Sequence, residues 1–68
     1  METSARNQLR GKVASLSLGA VMAEVVVDIG GASVVAAITK ESAERLGLEE
    51  GKSVIAIVKA TDVMIGTE

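Results

Sequence analysis

The chain has 68 residues and a formal net charge of −2, from seven basic and nine acidic side chains, and it contains no His, Cys, Pro or aromatic residue. Those absences exclude disulfides, a Cys/His zinc site and the His-activated nucleophiles of many hydrolases. The slightly acidic balance and the lack of stacking rings argue against general affinity for nucleic acid.

In chain order, a first strand is expected to begin near Asn7 and run to Leu18, with Gly19-Ala20 as a turn. Val21, Ala23, Val25, Val27 and Ile29 then share one parity while Glu24 and Asp28 sit on the other, the period-2 pattern of a strand with one buried face. Gly30-Gly31 suits a tight hairpin, because Gly tolerates the positive φ such turns require. Ser33 to Ile38 reads as a third strand. At Thr39 the period changes: Thr39 caps a short helix from Lys40 to Leu46, with Glu41 in its first turn and Ala43 and Leu46 facing the core together. Gly47 fits the left-handed position after the helix, with Leu48 as the apolar contact that follows. Glu49-Glu50-Gly51 turns the chain into a fourth strand, Ser53 to Lys59, and Asp62 precedes a fifth, Val63 to Ile65. The fold expected is mainly β, a small five-stranded OB-like Greek-key barrel with one short helix between strands 3 and 4.

So short a chain makes one domain, residues 1–68, and buries too little surface to be comfortably stable alone. Association of copies is the route left, and a hydrophobic content of 49% provides surface for it. Bare strand edges without proline point the same way. The polar N-terminus is unlike a signal peptide, and no uncharged apolar run approaches the roughly 20 residues that span a bilayer. A cytoplasmic protein without membrane contact is expected.

The residues able to do specific work are hydrogen-bond donors. Arg6 offers a planar fork for two oxygens, Lys59 a compact positive charge, and Ser4, Thr39, Ser42 and Thr61 offer hydroxyls. Each has an ordinary alternative: Arg6 and Lys59 as solvated charges, Thr39 as a cap. Donors without a base or nucleophile suit binding of an oxyanion, not turnover, so no enzyme and no catalytic residue are expected. Glu41 and Glu44 would repel an anion at the helix start and are expected to point away from it. Glu49-Glu50 and Asp62 read as turn residues.

Ser4-Ala5-Arg6-Asn7-Gln8-Leu9, followed by Gly11-Lys12-Val13, resembles the opening of the molbindins, small cytoplasmic molybdate-binding proteins. Their module also occurs in molybdate-responsive regulators and as the TOBE domain of molybdate transporter ATPases. Val21-Met22-Ala23-Glu24-Val25, Ala37-Ile38-Thr39-Lys40-Glu41-Ser42 and Val58-Lys59-Ala60-Thr61-Asp62-Val63-Met64 match that pattern in order and spacing. The resemblance covers Thr3 to Ile65.

It implies a homohexamer of three dimers that exchange N-terminal strands, with molybdate or tungstate as the bound ligand and no organic cofactor or separate metal site. By position, Ser4, Ala5 and Arg6 come from one subunit, and Thr39, Ser42, Lys59 and Ala60 from its partner. Many relatives carry Ser where this chain has Ala60, so a hydroxyl is lost there and the backbone N–H stays. A second kind of site nearer the symmetry axis does not map onto particular residues. Ionised molybdate has no proton to donate, so a site of donors alone should prefer it to protonated phosphate. The implied role is storage or buffering of the oxyanion for molybdenum homeostasis.

The rival is a different class, a swapped-hairpin transcription factor of the AbrB type, suggested by the helix, glycine and turn spacing of Ile38 to Lys52. The acidic balance weighs against it, and it leaves Ser4-Ala5-Arg6-Asn7 unexplained. A structural module that binds only protein partners is the third reading, and it predicts no anion affinity.

Overall fold

The computed structural model describes residues Met1–Glu68. Strand β1 spans Asn7–Leu18, β2 Met22–Asp28, β3 Ser33–Thr39 and β4 Ser53–Val58, with helix α1, Lys40–Arg45, between β3 and β4. All neighbours in the sheet are antiparallel, in the order β3-β2-β1-β4. Three consecutive strands with the fourth returning beside the first make a Greek key.

Strand β1 organises the sheet because it serves two partners. Asn7–Lys12 pairs with β4 and Lys12–Leu18 with β2, and the register slips between Val13 and Ser15 where the strand passes from one to the other. A bulge there bends the strand and increases its twist. Gly11 stands at the same passage. A Cβ on it would fall against the carbonyl oxygen of Asp28 and lie 2.9 Å from Val27 Cγ1.

The alternation in β2 does what its pattern implies. Ala23, Val25 and Val27 are buried, and Val25 and Val27 form with Val13 the centre of the core. Leu16, Ile29, Ala36, Ile38, Leu48 and Val54 pack around it. Val21, expected on the same face, is 70% exposed. It lies in the turn closed by Gly19 N–H donating to the Met22 carbonyl at 2.8 Å, so it precedes the strand and its parity. At the next hairpin Gly30 and Gly31 have φ of 87° and 91°. Positive φ at both central residues is the primed geometry that matches strand twist.

Helix α1 is held at both ends by local chemistry. The Thr39 hydroxyl accepts from Ser42 N–H at 3.1 Å. At the other end Leu48 N–H donates to Ala43 and Gly47 N–H to Glu44, with Gly47 at φ 63°. That pair of bonds is the Schellman arrangement. Lys52 Nζ adds bonds to the carbonyls of Leu46 (2.7 Å) and Gly47 (3.2 Å). Thr39→Ala should cost about 1 kcal/mol, the usual worth of such a cap, whereas Thr39→Ser should keep it; denaturant midpoints of the two variants make the comparison.

Two further expectations are corrected. Leu46 does not share the core with Ala43: it is the C-cap residue and 55% exposed, while Ala43 is buried. The fifth strand is also absent, leaving a curled four-stranded sheet where a five-stranded barrel was expected. After β4 the chain makes one 3₁₀ turn, Ala60–Asp62, and Val63–Ile65 beyond it pair with no strand. A strand exists only as part of a ladder, and these residues stay exposed, Met64 at 92% and Ile65 at 88%.

The core of one chain is thin, with 5 of 68 residues buried. A groove of 320 Å³ also runs from β2 and β3 across to β4, and all its lining residues are apolar, among them Val25, Val35, Ile38, Leu46, Ile55 and Ile57. No helix is long and apolar enough to cross a membrane.

Candidate functional site

The two ends of the sequence meet because of a register. Asn7, the first residue of β1, pairs with Val58, the last of β4. The chain before Asn7 and the chain after Val58 therefore leave the same corner of the sheet. Between them lies an open depression of 560 Å³ lined by Thr3, Ser4, Ala5, Arg6, Ile57, Lys59, Ala60, Thr61 and Asp62.

This depression holds Arg6 and Lys59 with the hydroxyl-bearing residues Thr3, Ser4 and Thr61. Seven hydrogen bonds involve side chains, and none uses the side chain of Arg6, Lys59, Ser4 or Asp62. The two cations are thus left with donors to spare, and charge-assisted bonds are what they offer an anion in the depression. The Ala5 N–H donates to Thr3 Oγ1 at 3.2 Å, a local bond that a stronger acceptor can replace. Gln8 Nε2 donates to the Ala5 carbonyl at 2.9 Å and steadies the segment just before β1.

Thr39 and Ser42 stand elsewhere. Thr39 ends β3 opposite Met22, at the start of β2, and β2 begins against the Leu18 end of β1. They lie at one end of the longest strand, and Arg6 and Lys59 lie at the other. Within one chain the structure gathers Ser4, Ala5, Arg6, Lys59 and Ala60 and does not add Thr39 or Ser42. The Thr39 hydroxyl donates to Ser42 Oγ at 2.8 Å, which leaves the Ser42 proton free for another acceptor. The depression beside Thr39 is lined by Ala20, Val21, Lys40, Glu41 and Glu44. Glu41 and Glu44 were expected to point away from it, and both contribute to its wall.

Two polar residues of the chain-end depression escaped the sequence reading as binding groups. Thr3 precedes the Ser4–Leu9 motif, and its only signal was a hydroxyl two residues before Ala5. Asp62 read as a turn former, although its side chain makes no hydrogen bond.

A small mainly β domain with a solvent-open, donor-rich depression around Arg6 and Lys59 has the makings of an anion-binding module. The TOBE domain model matches residues 3–65. The chain is 53% identical over 66 residues to molybdenum-pterin-binding protein 2 of Clostridium pasteurianum, covering 96% of this chain and 97% of that one. It is 49% identical over 69 residues to a probable molybdenum-pterin-binding protein of Haemophilus influenzae, covering all of both. Its fold superposes on a molybdate-binding protein from Sporomusa ovata with a TM-score of 0.92 at 42% identity, covering 98% of this chain and all of that one. The chain belongs to the TOBE-domain family, among the small molbindins. These relatives are named for binding, not for a reaction, and neither they nor the fold support the AbrB-type reading.

Proposed function

We propose that the chain binds molybdate reversibly, and tungstate with it, and so stores and buffers the oxyanion in the cytoplasm without chemical turnover. One observation carries this: Arg6 and Lys59, uncommitted in the fold, share a depression with Ser4, Ala5 and Ala60. The likeness over the whole chain to proteins named for molybdenum-pterin and molybdate binding supports the choice of anion. Molybdenum enters as its oxyanion. A pterin ring would find no aromatic side chain to stack on anywhere in the sequence.

The working form is proposed to be a homohexamer, a trimer of dimers that exchange N-terminal strands, with the sites at subunit interfaces. The thin core and the apolar groove support association. Exchange preserves the β1–β4 ladder while forming it between two copies, and it makes Ser4, Ala5 and Arg6 face Lys59 and Ala60 of another copy. The openness of the depression within one chain supports its closure by a second copy. Thr39 and Ser42 are proposed as donors of the assembled site and can join it only from another copy. There is no call for nucleic acid in this assembly.

Native mass spectrometry of the protein with and without molybdate tests both parts. Hexamers carrying a whole-number complement of molybdate are expected; monomers that bind nothing would refute the proposal.

A further inference from the structure

We propose that Asp62 sets the oxyanion affinity of the chain-end depression and keeps a bound dianion exchangeable; this rests on the anion-binding reading of that depression. Asp62 is the only acidic residue lining it, in company with Arg6 and Lys59. Its position is fixed by the backbone, since its N–H donates to the Lys59 carbonyl at 2.9 Å and closes the 3₁₀ turn. The side chain has no part in that closure and is exposed. Its ordinary role, an aspartate that holds a turn by hydrogen bonding, is therefore not the one it performs.

The charge has two consequences. With Arg6 and Lys59 the depression carries a net positive charge of one, so a dianion cannot be fully neutralised there. A unit negative charge beside a dianion costs about tenfold in affinity even at the dielectric of water, and salt weakens the effect. A carboxylate is also an acceptor. The donors-only expectation for this site fails at Asp62, because protonated phosphate can give its O–H to that group while molybdate and sulfate cannot. Asp62 thus holds down affinity for both fully ionised anions and narrows their advantage over phosphate.

The test compares the full-length protein with Asp62→Asn by calorimetric titration with molybdate, sulfate and phosphate at low and high ionic strength. The variant should bind molybdate and sulfate about tenfold more tightly at low salt. The gain should shrink at high salt, phosphate should gain less, and the unfolding midpoint should stay in place. Unchanged or weaker molybdate binding by a folded variant would overturn the role of Asp62 while leaving the site intact. A wild-type protein that binds none of the three anions would remove the site and this role together.

Discussion

Arg6→Ala should weaken molybdate binding by about 2–3 kcal/mol, roughly a hundredfold, and leave the fold unchanged. Arg6 is exposed, precedes β1 and makes no hydrogen bond in the chain, so nothing in the sheet depends on its side chain. Its guanidinium is the only planar fork in the depression, and hydrogen bonds to a charged group are worth about twice neutral ones. Arg6→Lys should restore part of the loss, since charge returns without the two-pronged geometry. Titration of the three proteins, with melting curves alongside, gives the comparison. Equal affinity in Arg6→Ala would move the site away from the chain-end depression.

Gly11→Ala should destabilise the protein by about 3 kcal/mol, near the upper end for overpacking, and lower the melting temperature by at least about 10 °C for a domain of this size. The added methyl would meet backbone, the Asp28 carbonyl, and not the yielding end of a side chain. Relief requires β1 and β2 to part beside Val27, a member of the Val13–Val25–Val27 core. Gly66→Ala is the control: its Cβ meets nothing within 4 Å. Thermal unfolding followed by circular dichroism should separate the two variants clearly, and equal melting would contradict the close approach of the strands.

What could be read ahead of the structure was local. The parity of Ala23, Val25 and Val27 sets one strand and its face. Gly30-Gly31 sets one hairpin, and Thr39 with Gly47 and Leu48 sets both ends of a helix, because each feature depends on residues a few positions apart. Val63–Ile65 had the composition of a strand, but a strand needs a partner edge, and composition does not say where the 3₁₀ turn at Ala60–Asp62 will aim the chain. Leu46 had helical spacing to Ala43, yet it falls at the cap and lines the open apolar groove, where it stays 55% exposed.

The candidate site divides in the same way. Donor types were visible in the sequence as residues. Their grouping follows from the Asn7–Val58 pairing, a contact across most of the chain that no local pattern encodes. The same pairing brings in Thr3 and Asp62. The length of β1 separates Thr39 and Ser42 from Arg6 and Lys59, a distance set by the sheet and not by residue type.

The most direct test of molybdate binding is calorimetric titration of the purified protein with molybdate, with sulfate as the control. Tight, saturable heat with molybdate and little with sulfate is expected, at a stoichiometry that reflects sites shared between copies. Absence of molybdate heat would contradict the proposed function and leave the chain as a structural module for protein partners.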